Sequence, residues 1–207
     1  MDTEASAQPG DLAAGEFAPW LGALRRALQG DGDSDVPCGT CTACCTSAQF
    51  VHITPEDHAA RAHIPRELLF PAPQRPPGHL VMGFDERGHC PMLIDGGCSI
   101  YEHRPRTCRT YDCRVFAATG IDPMEPAKAL IAQRVRRWQF EFPTPEDAVA
   151  WAAVRAAAAY VRERREGSTT EQAVLAIELH DVFLGADPDP ADIERAVERR
   201  RGDSGSA

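Results

Sequence analysis

All eight cysteines of the chain lie between residues 38 and 113. Four of them begin this stretch as Cys38-Gly-Thr-Cys41-Thr-Ala-Cys44-Cys45, and the others follow singly as Cys90, Cys98, Cys108 and Cys113. Soft sulfur ligands clustered in sequence are typical of metal and iron–sulfur sites, and an ordinary hydrophobic core does not require them. The pattern therefore predicts a metal-binding module with all eight cysteines as ligands.

The spacing of the first cysteines favours iron over zinc. Two residues separate Cys38 from Cys41 and Cys41 from Cys44, as in ferredoxin loops. Cys45 follows directly, and adjacent side chains usually point apart, so one of this pair is available to a second site. Cys90 precedes a proline, as the fourth ligand of a ferredoxin loop does, which makes Cys38, Cys41, Cys44 and Cys90 the best single quartet. Structural zinc sites prefer paired Cys-x2–4-Cys knuckles. In the second half of the pattern seven residues separate Cys90 from Cys98 and nine separate Cys98 from Cys108, and only Cys108 and Cys113, with four between them, reach that spacing. A [4Fe-4S] cluster is thus favoured, with zinc as the alternative.

Composition limits the other classes of function. The chain has 207 residues, a length that indicates one domain. Its net charge of −9 argues against nucleic acid as a partner. No apolar run approaches the roughly 20 residues of a membrane helix. The N-terminus lacks a secretory pattern, so we expect a cytoplasmic protein in which disulfides rarely persist. The expected partners are a metal or cluster and an unknown protein or small molecule, without a membrane.

Periodicity and turn residues predict a mainly helical α+β fold, with a small β-meander and a metal-stabilised, irregular, cysteine-rich module. Helices are predicted over residues 17–29, from Thr54 to about 63, from Pro105 through Cys113, and over 126–138, 144–166 and 170–184, with a last one from Asp189. Strands are predicted near 80–84, 90–94 and 98–101, and the proline-rich stretch 65–78 is predicted to be an irregular loop.

These elements suggest five segments along the chain. They are a mobile N-terminus (1–15), a helix and linker (16–35), the cysteine-cluster module (36–116), a helical part packed on the same domain (117–201) and a mobile tail (202–207).

Arginines surround the last two cysteines. Arg104 and Arg109 are the predicted cofactor-binding residues, because guanidinium groups stabilise an anionic thiolate cluster and raise its reduction potential. One alternative is that these arginines hold a carboxylate or phosphate of a ligand. Another is a solvated helix face on which Glu102 and Asp112 are the ionic partners. His52, His89 and His103 lie near cysteines in sequence and could each replace one ligand.

The pattern resembles the bacterial CxxCxxCC cysteine-cluster family (YkgJ-like), which is described as zinc- or iron-chelating. The resemblance rests on Cys38-x2-Cys41-x2-Cys44-Cys45, on Cys90-Pro91, on Gly97-Cys98-x-Ile100-Tyr101-x2-Arg104-Pro105-x2-Cys108-Arg109 and on Cys113, within roughly residues 36–116. A similar pattern in flagellin lysine methylases implies that such a module can sit inside an enzyme.

We therefore expect a cysteine-cluster metalloprotein that binds an iron–sulfur cluster and has a redox, sensing or cluster-dependent enzymatic role. One alternative is a structural zinc-binding interaction module. A further alternative, by analogy only, is a methyl-transfer enzyme. The helices after residue 124 contain no recognisable catalytic motif, so the resemblance transfers no activity and no catalytic residue.

Overall fold

Short strands and mostly short helices build this chain, and a computed structural model describes residues 10–34, 36–164, 167–185 and 188–204. The α-helices are α1 (Phe17–Gln29), α2 (His58–His63), α3 (Arg106–Thr110), α4 (Arg114–Thr119), α5 (Ala129–Val135), α6 (Pro145–Arg164), α7 (Thr169–Leu179) and α8 (Pro190–Ser204). The strands are β1 (Leu12–Glu16), β2 (Val51–Ile53), β3 (Leu69–Pro71), β4 (Leu80–Met82), β5 (Leu93–Ile94), β6 (Gly97–Cys98) and β7 (Trp138–Glu141). Single turns of 3-10 helix lie at Ala43–Thr46, Arg66–Leu68, Tyr101–His103, Pro126–Lys128 and His180–Phe183.

The described residues form two compact units. The first contains residues up to 25, 114–122 and those from 135 onwards, and the second contains 26–113 and 123–134. All eight cysteines belong to the second unit.

The first unit is built around α6, which packs against α7, while both helices contact α4. Ala153, Ala157, Ala173 and Ala176 are buried, and their small side chains let the helix backbones approach closely. Strand β1 pairs in parallel with β7, with Leu12 opposite Trp138. The first unit therefore has its own apolar core.

Asp147 fixes the start of α6. Its carboxylate accepts hydrogen bonds from the Thr144 backbone N–H at 3.0 Å and from the Thr144 hydroxyl at 2.6 Å. The same carboxylate accepts the Ala18 N–H, in the first turn of α1, at 2.7 Å. This buried side chain thus satisfies donors at the start of two helices.

The second unit contains an antiparallel sheet in the order β2-β4-β3 and a separate β5–β6 hairpin. Its apolar cluster is small and consists of Ile53, Ala60, Ile64, Met82, Met92 and Ile100. Cys90 and Cys98 are partly buried and pack against this cluster. The cysteine region is therefore continuous with a modest core.

Asp57 joins α2 to α3 inside the second unit. Its carboxylate accepts the Thr54 backbone N–H at 2.9 Å and the Arg106 backbone N–H at 2.7 Å. Because Arg106 is the first residue of α3, this buried carboxylate fixes the start of the helix that carries Cys108.

The α+β class with small sheets and a cysteine-rich region is confirmed. Helix α1 begins and ends at the predicted residues, and α6 and α7 occupy most of their predicted ranges. The predicted end of α6 includes residues 165 and 166, which lie outside the described residues.

Several local predictions were wrong, each because of a tertiary contact. The expected meander is divided, because β4 pairs with β2 and β3 and not with β5. Strand β3 lies within the predicted proline-rich loop, and β1 begins at Leu12, inside the segment that we expected to be mobile. Residues 1–9 of that segment and 205–207 of the predicted tail lie outside the described residues.

Several helix boundaries also differ from the predicted ones. Helix α2 begins at His58 and not at Thr54, because the Asp57 carboxylate turns back onto Thr54. Helix α3 ends at Thr110, so Cys113 lies beyond it. Trp138 belongs to β7, where pairing with β1 replaces the predicted end of a helix.

Candidate metal centre

The first four cysteines lie on a loop that tightens into a turn of 3-10 helix. The Cys41 N–H donates to the Cys38 carbonyl at 3.0 Å, which closes the first Cys-x2-Cys turn. Cys44 and Cys45 are consecutive residues of the 3-10 helix Ala43–Thr46. Because such a helix has three residues per turn, their side chains leave its axis about 120° apart. The adjacent cysteines therefore point in different directions.

Backbone hydrogen bonds connect Cys45 to the next two cysteines. The Cys90 N–H donates to the Cys45 carbonyl at 2.7 Å, and the Leu93 N–H donates to the Cys90 carbonyl at 2.9 Å. Leu93 is in turn the pairing partner of Cys98 in the β5–β6 hairpin. The hairpin thus brings Cys90 and Cys98 to the end of the first cysteine loop.

The last two cysteines are separated by the end of α3. Cys108 lies within α3, and the neighbouring Thr107 hydroxyl donates to the His52 carbonyl at 2.7 Å, which attaches the helix to β2. Tyr111, at the C-terminal end of α3, has extended backbone angles, so Cys113 does not continue the helix. Cys113 is buried immediately before α4.

All eight cysteines are free thiols, of which six are partly buried, Cys113 is buried and Cys44 is exposed. Within the described ranges, no three or more His, Cys, Asp or Glu side chains are grouped as a metal site. The donor set suits a thiophilic metal. To bind such an ion, the cysteine side chains would rotate so that their sulfurs come closer together.

Charge coupling shows which thiols are neighbours of Cys44. The surrounding protein raises the pKa of Cys44 well above the usual thiol value, even though the residue is partly open to solvent. Among the charged neighbours that raise this pKa further, Cys113 has the largest effect and Cys38 the next. Burial and then Cys41 raise the pKa of Cys38. Cys45 and then Cys41 have smaller effects on the pKa of Cys44, so this thiol is coupled to Cys113 and to the other three cysteines of the first loop.

A second set of thiols is coupled in the same way. Burial raises the pKa of Cys45 to about 11, and Cys90 and then Cys98 are the thiols that add most to this effect. Burial also raises the pKa of Cys108 to about 12, with Cys90, Cys45 and Cys98 as the contributing thiols. Burial raises the pKa of Cys90 as well, and Cys98 adds to it.

Tyr111 places a hydrogen-bond donor beside two of the thiols. Its hydroxyl oxygen is buried, and within the described residues it has no hydrogen-bond partner. Burial raises its pKa, and the charged neighbours that raise it most are Cys44 and Cys113. A buried O–H without an acceptor is costly, and thiolate ligands would provide one. The site therefore fits a bound metal or cluster.

Arg134 holds the first cysteine loop from α5. Its guanidinium donates to the Pro37 carbonyl at 3.0 Å and to the Cys38 carbonyl at 3.3 Å. Its charge lowers the pKa of Cys38, against the larger effect of burial. Arg134 thus both positions the loop and favours the thiolate form of its first ligand.

The two arginines expected at the cofactor have different surroundings. The Arg104 guanidinium lies over the Tyr101 ring at 3.6 Å, and its charge lowers the pKa of both Cys38 and Cys108. The Arg109 guanidinium pairs with Asp33 at 2.7 Å and donates to the Arg104 carbonyl at 3.0 Å. The structure therefore brings the charge of Arg104 near both sets of thiols, while Arg109 ties together backbone segments.

The histidines near the cysteines make contacts of their own. His52 lies against His79, with 3.0 Å between Nε2 and Nδ1. The ring of His103 stacks on that of His63, with centroids 3.8 Å apart. The His89 backbone N–H donates to Asp85 at 2.8 Å.

Two residues of this region were not predicted from the sequence. Tyr111 was not singled out as a site residue from the sequence, although its position two residues before Cys113 was a usable signal. No local signal marks Arg134, because it meets Cys38 across 96 positions of sequence.

Comparison with known proteins matched one segment of the chain. Residues 37–129 match the family model CxxCxxCC, which is described as "Putative zinc- or iron-chelating domain". A search of curated proteins and a search of solved structures each gave no significant match.

That segment is a little under half of the chain, and its match agrees with the family resemblance seen in the cysteine pattern. The description of the model supports a metal-chelating role for the cysteine cluster. In the parts of the chain that are described, no helix has both the length and the apolar character needed to cross a membrane.

Proposed function

We propose that this protein binds iron in iron–sulfur form and uses it in a redox or sensing role. The observation that carries the proposal is the presence of eight free thiols in one compact unit, all of them within the segment that matches the zinc- or iron-chelating family model. When bound, an iron–sulfur cluster supplies one-electron redox chemistry.

The distribution of the ligands favours iron–sulfur over zinc. The Cys38–Cys44 loop has ferredoxin spacing. The later thiols come from separate elements, a loop, β6, α3 and the residue before α4. Cys108 and Cys113 alone among them have the spacing of a Cys-x2–4-Cys knuckle, and the end of α3 lies between these two residues.

The electrostatics of the site support the same proposal. The Arg104 charge lowers the pKa of Cys38 and Cys108, so it favours thiolates in both sets of ligands. The buried Tyr111 hydroxyl is a donor for sulfur, and hydrogen bonds to sulfur raise the potential of a cluster.

The exposure of Cys44 supports a redox or sensing role. Cys44 is the exposed residue among the eight cysteines, so its loop is the side from which electrons or a small oxidant would approach a cluster. Solvent exposure near a cluster also tunes its potential.

The test is elemental analysis of the full chain, purified without oxygen and without a tag. We expect iron with an equal amount of acid-labile sulfide, and a broad visible absorption that bleaches on reduction with dithionite. A variant with serine at Cys38, Cys41, Cys44 and Cys45 serves as the control and should lose both iron and sulfide.

The other outcomes are equally decisive. Zinc without sulfide would contradict the iron–sulfur proposal and support a structural zinc-binding interaction module. Protein without any metal, both as purified and after anaerobic reconstitution with iron and sulfide, would contradict metal binding by this domain.

A further inference from the structure

We propose that the eight cysteines form two separate four-thiolate sites. Quartet A consists of Cys38, Cys41, Cys44 and Cys113, and quartet B consists of Cys45, Cys90, Cys98 and Cys108. The inference rests on the proposed function only in requiring that the thiols bind a metal or cluster. It replaces Cys90 with Cys113 in the quartet that we expected from the sequence.

The adjacent pair Cys44 and Cys45 separates the two sites. On one turn of 3-10 helix their side chains diverge by about 120°. One mononuclear site would need both sulfurs on the same side of this turn. Two sites, one on each side, use both residues without unwinding it.

The backbone then assigns partners to Cys45. A continuous path of hydrogen bonds and strand pairing leads from the Cys45 carbonyl to the Cys90 N–H at 2.7 Å, and through Leu93 to Cys98. Such bonds fix the separation of these residues in the folded chain. Quartet B is thus supported by backbone geometry at three of its four members.

The end of α3 divides the remaining two cysteines. Cys108 lies within the helix, whose neighbouring Thr107 is bonded to β2. Cys113 lies beyond Tyr111, whose backbone is extended. The change of backbone direction lets the two sulfurs serve different sites.

Contacts on both sides of the first cysteine loop support quartet A. Arg134 binds the carbonyls of Pro37 and Cys38. Just before the loop, the Ser34 hydroxyl donates to the Asp112 carboxylate at 2.8 Å, so the chain entering the loop is bonded to the residue before Cys113.

On loading, each sulfur that binds releases its proton to solvent, which removes the mutual repulsion of the thiolates.

Four double variants of the full chain test the assignment, each with two cysteines replaced by serine. Cys44→Ser with Cys113→Ser, and Cys45→Ser with Cys98→Ser, each damage one quartet and should retain about half of the wild-type metal. Cys44→Ser with Cys98→Ser, and Cys45→Ser with Cys113→Ser, each damage both quartets and should retain almost none. Equal metal content in all four, or the reverse order, would overturn the division.

A second measurement uses the unmodified chain and so does not depend on the folding of variants. Metal-free protein is loaded with cobalt(II) to half of its capacity and then alkylated, and the protected cysteines are mapped by mass spectrometry. Cys113 should be protected together with Cys44, and Cys98 together with Cys45. Protection of Cys113 together with Cys98 and independently of Cys44 would overturn the proposal.

The outcomes separate this inference from the proposed function. Zinc bound with the expected pattern of the four variants would contradict the iron–sulfur proposal and leave the two quartets standing. Iron and sulfide bound without that pattern would overturn the quartets alone. A wild-type chain that binds neither its own metal nor cobalt would overturn both.

Discussion

The Tyr111 hydroxyl is expected to gain a hydrogen-bond acceptor when the site binds metal. In the metal-free chain its buried hydroxyl costs about 1–3 kcal/mol, because within the described residues it has no hydrogen-bond partner. Beside loaded thiolates, the same hydroxyl becomes a donor to sulfur. Tyr111→Phe should therefore raise the free energy of unfolding of metal-free protein by about 1 kcal/mol and lower the reduction potential of the loaded site.

Denaturant unfolding of the metal-free protein and potentiometric titration of the loaded protein measure the two effects. Tyr101→Phe is the matched control, because Tyr101 is exposed and removal of its hydroxyl should change neither quantity. A Tyr111→Phe variant that loses stability in the metal-free state, or that keeps the wild-type potential, would show that its hydroxyl has no role at the sulfurs.

Helix α5 contributes to the site through one side chain near its C-terminus. Arg134 donates to two carbonyls of the first cysteine loop, and it lies outside the segment that matches the family model. Loss of such supporting contacts typically costs 10–100-fold in metal affinity. Arg134→Ala should weaken loading by about 10-fold or more, measured by competition with a chelator of known affinity.

The loss should be confined to one half of the site if the two quartets are separate, because the Arg134 guanidinium donates to the carbonyls of Pro37 and Cys38, at the start of the first cysteine loop. Arg136→Ala removes the same charge at an exposed position nearby and should leave affinity unchanged. An equal loss of affinity in both variants would mean that net charge, and not the position of Arg134, supports loading.

The elements that the sequence predicted well are those determined by local chemistry. Helix α1 has an apolar face at helical spacing, and α7 begins with a Ser168–Glu171 capping box, so both signals lie within the helix itself. Strand β1 has no such signal, because its Leu-Ala-Ala-Gly-Glu sequence is a poor strand former that pairs with β7 across 126 positions, from Leu12 to Trp138.

The candidate site, like the fold, has features that the local sequence determines and features that it does not. Its candidate ligands were predicted from the clustering and spacing of cysteines, which are properties of the sequence. Which ligand joins which depends on the turn at Cys44 and Cys45 and on the bond from Cys90 to Cys45, both of which exist only in the folded chain. Burial of the Tyr111 hydroxyl is likewise a tertiary property.

The two compact units differ in how they can be stabilised. The first has long helices with a buried alanine interface and buried aromatic side chains, among them Phe17, Trp20 and Trp138. The second has short strands and an apolar cluster of six buried residues, with Cys90 and Cys98 packed against it. A small core of this kind commonly needs disulfides or a metal, and its cysteines are free thiols. We therefore expect metal to contribute to the folding of the second unit and little to that of the first.

Removal of the metal should accordingly loosen one unit and spare the other. After treatment with reductant and excess chelator, amide hydrogen exchange in β2, β4 and α3 should become faster by about tenfold or more, a loss of about 1.4 kcal/mol in local stability. Exchange in α6 and α7 should stay near its rate in the loaded protein. Readdition of iron and sulfide should restore the slow rates, which separates metal loss from irreversible damage. Equal acceleration in both units would mean that the chain unfolds as one cooperative body, and no acceleration would mean that the cysteine region folds without its metal.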